Sequence, residues 1–582
     1  MVPMMILCVL IIVGMNYFFA PHKQSPANAP QQSQQQQQTP AQSAQSAQPN
    51  AAPAAMALPA APVVQASTEA ATVVENDLYR ITFTNRGALV KSWILKKYMG
   101  ADGKPLDLVQ QQASAEFGYP LSLWSGDASL TQKLNGGLYQ ASTTGLLAAP
   151  STLTFSYSDG DLVVEKKFHF ETGSYKIGIE SSVKRGGVYV TALPAWPAGF
   201  GDTNPGASTG KSPLGIGGSY YNRQTVDVHN GTKLLRMSAD RKGEKVGNQH
   251  IVDGPIAWGG TVDQYFAAIF LPVTPRQSSL VQFRNSIQVT TQKNEKMPVE
   301  MLGSAAGELG APVHTSLYVG PKVLDLLGTI HANGDDGQAG AGPDLQGSVN
   351  LGTFSFIAKP MFLALRWLNE RVTFNWGWSI VLLTILFNLV LLPLRYRQMK
   401  SALQMQKIAP QMKNIQQRYN KYKFNDPKRL EMNEEIKNLQ KEHGVNQFAG
   451  CLPSLVQFPF FFAYYAMLGN TIELRHASWL WIPDLSATDP RCVLPVLVGL
   501  AAFTLQRITP MGTISDDQRR MMNIMLPVIM LISFWNMAGG LNIYMVTTYV
   551  VNLSQQYVMN HTTLGREIRE VQAKQAAKRR KK

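Results

Sequence analysis

Residues 539–557 read GGLNIYMVTTYVVNLSQQY. The stretch is apolar enough for a membrane, yet its polar groups are not scattered. Tyr544, Thr547, Thr548, Asn552 and Gln555 follow one another at i, i+3, i+4, i+8 and i+11, which is one face of an α-helix. Polar side chains inside a bilayer face a protein interior or a wet cavity, because hydrocarbon offers them no partner. This segment therefore decides the fold class: a polytopic α-helical membrane protein whose bundle encloses polar surface.

Working outward, further apolar spans lie at 377–394, 449–469, 492–508 and 521–537, and the last runs over 539–559. Thr384 and Asn388 interrupt the first of these and, four apart, share a helix face. Trp376 and Trp378 mark one end of that span, Arg395 and Arg397 the other. Asn388 then lies roughly 18 Å from Trp376 and roughly 10 Å from Arg395 along the axis, in the inner half of the bilayer. Gln457 and Gln506, on the 449–469 and 492–508 spans, complete the candidate set. Two readings stay open. Thr and Asn can join helices by hydrogen bonds, each contributing about 0.6–2 kcal/mol. Alternatively, the stripe and Asn388 together line a water-accessible groove, and the full stripe favours this second reading.

Residues 1–20 are apolar, long enough to cross a bilayer, and lack a basic leader, so they predict a retained transmembrane anchor rather than a cleaved signal. With the anchor, the chain has six spans, five of them in the core bundle. Residues 21–71 are Gln, Ala, Pro and Ser with little charge, a linker unable to bury a core. Residues 72–330 predict an all-β domain, with strands at 151–158, 162–170, 174–184, 187–193, 264–271, 279–290 and 314–320 in an antiparallel sandwich. A loop at 331–353 leads to 354–372, an amphipathic helix that begins near Pro360 and lies on the membrane surface.

The net charge of +15 is concentrated beside the spans. Between Arg395 and Lys441 there are twelve Lys and Arg against four Asp and Glu, whereas the 470–491 loop carries two against three. This asymmetry puts the 395–448 segment and the 560–582 tail inside, and the β domain outside. The 395–448 segment reads as two helices, 396–421 and 428–442, broken at Asn425-Asp426-Pro427 with Asp426 or Asn425 as cap. The tail ends in Lys578, Arg579, Arg580, Lys581 and Lys582, a run suited to anionic lipid or to ribosomal RNA.

Chemistry of the catalytic kind has no carrier. The nine histidines are scattered, none within four residues of another, and Cys8, Cys451 and Cys492 form no ligand spacing. The Gly215–Gly218 cluster reads as a turn, and no nucleotide loop is present. The sequence predicts a protein that is not an enzyme and uses no cofactor or metal.

Several stretches carry a resemblance. VVENDLYRITFTNRGALVKSW (73–93), WGGTVDQYFAAIFLP (258–272) and LYVGPK (317–322) fall in the β domain. IAKPMFLALRWLNE (357–370), NWGWSI (375–380), GVNQFAGCLPSLVQFPFFFAYYAML (444–468), WIPDLSATDP (481–490) and residues 539–557 fall in the helical part. Together they resemble the YidC membrane protein insertases of Gram-negative bacteria over nearly the whole chain. The resemblance implies a galactose-mutarotase-like supersandwich in the periplasm and an inner-membrane location with both termini cytoplasmic. It implies a groove open to cytoplasm and lipid that takes nascent membrane proteins, alone or beside the Sec translocon, with the ribosome and anionic lipids as further partners. One position departs: the family usually has an arginine a few residues before the Pro-Leu pair, and here Asn388 stands there, with Arg395, Arg397 and Arg507 nearby at the inner rim. Two other functions compete, a small-solute transporter and an anchored periplasmic carbohydrate-binding protein. Neither has its sequence signature, internal repeats in the first case and an acid/base pair in the second.

Overall fold

The strand Leu162–Phe170 alternates buried and half-buried residues along its whole length, and its neighbour Lys176–Arg185 does so up to Lys184. That period of two builds a sheet with one face on a core. In this computed structural model the described residues are 62–100, 103–200, 224–238, 249–290, 296–419, 422, 426–444, 452–509, 516–563, 566, 567 and 570. All fall within the unit Leu58–Lys582. The expected anchor, most of the linker, the Gly215–Gly218 turn, Asn425 and the basic end of the tail lie outside them.

Among the described residues the β domain has three sheets. The largest runs through 162–170 and 176–185 to Val313–Pro321, Phe266–Pro272 and Trp258–Val262. The second is built on the long hairpin Ser278–Thr290 with Lys296–Glu308. The third holds Ala71–Glu75, Tyr79–Thr84 and Leu89–Met99. Trp93 and Trp196, both buried, meet at 5.7 Å in the core between them. Two details differ from the expected antiparallel sandwich. Ala71–Glu75 pairs parallel with Gly145–Ala148, because five strands and two short helices lie between them and return the chain in the same direction. The expected strand 187–193 is two pieces: Val188–Tyr189 turns back on its own sheet, while Leu193–Trp196 pairs with 296–308.

Among the described residues eight helices follow. They are α1 Ser355–Leu368, α2 Trp376–Val390, α3 Leu392–Arg418, α4 Lys428–Glu442, α5 Leu452–Asn470, α6 Val493–Ile508, α7 Asp516–Phe534 and α8 Gly539–His561. α1 runs through Pro360 and ends in a π-turn at Asn369–Thr373. It buries Ala358, Phe362, Leu365 and Leu368 and exposes Phe356, Leu363 and Trp367 on the other side. The chain then bends by 115° into α2. Asn375 makes the corner: its side-chain oxygen accepts the N–H groups of Gly377 and Trp378, and its amide donates to Ser478 O at 3.1 Å.

The expected span 377–394 is not one helix. α2 stops at Val390, Leu391 closes it, and Pro393 occupies the first turn of α3, where a missing N–H is tolerated. α4 has the expected bounds, beginning after Pro427, and Asp426 accepts the Lys428 N–H at 3.0 Å. Among the described residues no single helix is long and apolar enough to cross a membrane; α1 and its π-turn together with α2 pass only as a bent pair. The count of six spans thus rests on the sequence pattern alone. Polar residues on α8 and the early end of α2 account for much of this.

The loop 471–491 covers the end of the bundle nearest the β domain. Gly539 N–H donates to Ala487 O at 2.7 Å and Gly540 N–H to Leu485 O at 2.8 Å. Trp479 lies edge-on to Trp378 at 5.4 Å. The same loop fastens the β domain: Arg475 lies 5.4 Å from the Phe266 ring centre, His476 bonds Met99 O, and burial raises the carboxyl of Glu473 above its ordinary range. Gln264 donates to Gly469 O, and Arg366 of α1 pairs with Asp325.

Candidate functional site

The helices α2, α5 and α8 come together around the polar residues. Thr384 and Asn388 are fully buried on α2, and Tyr544 and Thr548 are nearly so on α8. Thr384 turns its hydroxyl back on its own helix and donates to Ile380 O at 2.6 Å, so its proton needs no further acceptor. Tyr464 of α5 brings its hydroxyl to 3.4 Å from both Thr384 Oγ1 and Ile380 O. Its ring stacks on Tyr544, and the Tyr544 hydroxyl faces Thr548 and Gln457.

One turn further from the β domain, the Asn388 amide donates to Thr384 O at 2.8 Å. Its oxygen accepts from Arg395 Nη2 at 3.4 Å. Gln555 of α8 crosses to α2 and donates to Asn388 O at 3.3 Å. The acceptors Asn552 Oδ1 and Gln555 Oε1 are buried and have no hydrogen-bond partner among the described residues. A buried acceptor left bare costs about 1–3 kcal/mol, so such atoms mark places that water or a polar chain can satisfy.

The structure thus groups Thr384, Asn388, Gln457, Tyr544, Thr548, Asn552 and Gln555. Thr547 is half-buried beside them. Gln506 is buried on α6 and shares no hydrogen bond with the group among the described residues. Arg579, Arg580, Lys581 and Lys582 lie outside the described residues. Two members escape a reading of the sequence. Tyr464 sits in the run FFFAYYAML, where an aromatic ring looks like lipid-facing surface. Asn542 is buried at the start of α8 and donates to Phe534 O and Met537 O, closing the turn from α7. Among the described residues no group of His, Cys, Asp and Glu is arranged to hold a metal.

Arrangements of this kind do not make or break covalent bonds. They present hydrogen-bonding groups inside an otherwise apolar bundle.

Comparison with known proteins gives a consistent picture. Residues 71–364 match the YidC periplasmic domain family, and residues 367–566 match the 60Kd inner membrane protein family. The membrane protein insertase YidC of Citrifermentans bemidjiense is 31% identical over 84% of this chain and 84% of its own. That of Wolinella succinogenes is 28% identical over 95% and 93%. A crystal structure of an active YidC insertase with its first transmembrane domain resolved is matched over 86% of this chain and 95% of that one at 17% identity, with a TM-score of 0.33. On the family matches and the relatives at this coverage, the chain belongs to the YidC family of inner-membrane insertases, with a periplasmic β-rich domain and a helical C-terminal region.

Proposed function

We propose that this chain receives nascent membrane proteins in a hydrophilic groove walled by α2, α5 and α8 and releases their transmembrane segments into the inner membrane. The observation that carries the groove is the pair of buried acceptors Asn552 Oδ1 and Gln555 Oε1, unpartnered among the described residues and opposite the Asn388–Arg395 contact. A translocating polar segment brings donors for them, so the cost of hiding its backbone from water falls. The stacked tyrosines and the 471–491 loop lie on the β-domain side of this surface. A client therefore enters from the side of the α3–α4 hairpin and leaves sideways into lipid.

In this reading the chain is multi-pass with both termini cytoplasmic, 1–20 is an anchor, and the groove works alone or beside the Sec translocon. The hairpin and the tail meet the ribosome and anionic lipid. The charge asymmetry of the loops supports the orientation.

The test is depletion of the protein followed by proteomics of the inner membrane. Selective loss of small membrane proteins with short periplasmic segments is expected. An unchanged membrane proteome contradicts the proposal.

A further inference from the structure

One sheet edge of the β domain is open, and it lies close to the bundle. We propose that the strand Gly145–Ala148 takes up a client's translocated segment as an added strand, with an uncharged polar side chain of that segment in the cleft beside Asp77. The inference rests on the function proposed above.

Gly145–Ala148 ends its sheet, and among the described residues its one strand partner is Ala71–Glu75. The pairing is parallel, with Leu146 opposite Val73 and Ala148 opposite Glu75, and Ala149 N–H donates to Glu75 O at 3.1 Å. The direction of the backbone groups alternates along a strand. Leu147 therefore turns its N–H and C=O to Ala71–Glu75, while Leu146 and Ala148 turn theirs away from the sheet.

Exposed edges are normally blunted by charge or proline. The opposite edge of this sheet is blunted in that way. It is Pro105–Asp107, where Pro105 has no N–H and the Asp107 carboxylate accepts the Trp93 N–H at 2.9 Å. Gly145–Ala148 carries neither device, and Leu146 is 71% exposed. Such an edge is a template for another extended chain.

Beside the edge is a cleft of about 260 Å³, whose lining includes Leu146, Ala148, Glu75, Asp77 and Lys96. Glu75 is held by Lys96 at 2.6 Å and by Arg80 at 3.0 Å, whereas Asp77 has no ion-pair partner among the described residues. Ala148 is small, so a side chain from a strand laid next to it passes over it toward Asp77. A hydroxyl or amide there donates a charge-assisted hydrogen bond to the carboxylate, and a second carboxylate is repelled.

Position selects the occupant. Lys96 lines the cleft, and Met99 at the end of the same strand bonds His476 of the 471–491 loop through its carbonyl oxygen. Three residues of strand span roughly 10 Å. A client segment emerging at that loop carries unpaired backbone groups, and the open edge is within its reach. Translocated segments are poor in Lys and Arg, so an uncharged polar side chain is the donor at hand.

Full-length protein carrying L146C is placed in vesicles and given a small client with a single Cys at successive positions of its translocated segment, then mildly oxidised. Strand addition predicts disulfides at every second client position, because alternate side chains share a face. A148C lies on the same face and should move the favoured client positions by two. V188C, on an exposed residue of another sheet, should give none. With Thr two positions from the bonded client Cys, the yield should be about two- to fivefold above that with Asp, the scale of one exposed charge interaction. D77N should remove that difference.

Disulfides at all client positions alike, or none from either edge variant while the client inserts, overturn the inference and leave the proposed function standing. In bacterial membranes, a disulfide from L146C to a resident protein in place of the client assigns the edge to a protein partner and also overturns it. A Thr-to-Asp difference that survives D77N overturns the placement beside Asp77. Failure of the unaltered protein to insert the client contradicts the proposed function itself.

Discussion

The rings of Tyr464 and Tyr544 stack with centroids 4.3 Å apart and an angle of 19° between their planes, and both residues are buried. They join α5 to α8 and divide the bundle in two. On one side are Ile380, Leu468 and Leu541, all buried and apolar. On the other are Thr548, Asn552 and Gln555. The stack is thus a floor between a dry layer and a polar one.

Removing half of that floor should be costly. Tyr544→Ala should destabilise the protein by about 3–5 kcal/mol, as for other large-to-small aromatic changes in a core. Tyr544→Phe keeps the stack and should cost far less, although it removes the hydroxyl that faces Thr548 and Gln457. Thermal unfolding in detergent measures both. Similar losses for the two variants would show that the hydroxyl, not the stack, holds the floor.

Gly377 is a second point of close approach. A Cβ added there would lie 2.2 Å from the Trp479 ring, so the loop 471–491 packs on α2 only because this residue has no side chain. Gly377→Ala should loosen the loop and raise protease cleavage between 471 and 491. Adding Trp479→Ala should recover part of the stability by giving the new methyl group room. Cleavage unchanged in the single variant contradicts this packing.

Within the β domain, Lys166 is buried and its Nζ donates to Gly87 O at 2.8 Å, Ala88 O at 3.2 Å and Leu121 O at 2.7 Å. Burial pushes its ammonium down to about 7 from the usual lysine value. The sign follows from linkage. Below about pH 7 the folded and unfolded chains both hold the proton, whereas between about 7 and 10 the unfolded chain holds it and the folded chain does not. Stability should therefore rise with pH across that window. Lys166→Met should abolish this rise and lower stability at pH 7, since three carbonyl groups lose their donor. Melting temperatures from pH 6.5 to 9.5 check it. An equal slope in both proteins would assign the rise to other groups.

The β-rich character of the first half and the helical character of the second were legible in the sequence, and the reasons lie in particular residues. Leu162–Phe170 alternates cleanly, so its strand can be read directly. Trp258–Val262 is buried throughout, and Gly260 stands where a Cβ would meet Ala268 O at 2.0 Å, so closeness of backbones replaces the alternation that marks a strand. Lys296–Glu308 hides for the same reason, its Gly303 pressed on the Pro197 backbone. The polar stripe of α8 shows in the sequence because its spacing is local. The partner of that stripe does not, because Tyr464 lies 80 residues from its neighbour and looks like part of an apolar run. The end of α2 is similar. Pro393 suits a first turn as well as a kink, and only the structure shows the break at Leu391 with Arg395 reaching back across it.

The central claim is that a client's polar segment lies against α8 and α2 during insertion. The most direct measurement places a photoreactive amino acid at position 552 and, in a separate variant, at the exposed Val558 of the same helix. Ribosomes carrying a stalled small membrane protein, its translocated segment labelled, are then added to membranes and irradiated. The account predicts an adduct with that segment from position 552 and little or none from 558. Efficient insertion with no adduct at 552, or equal adducts at the two positions, would contradict it.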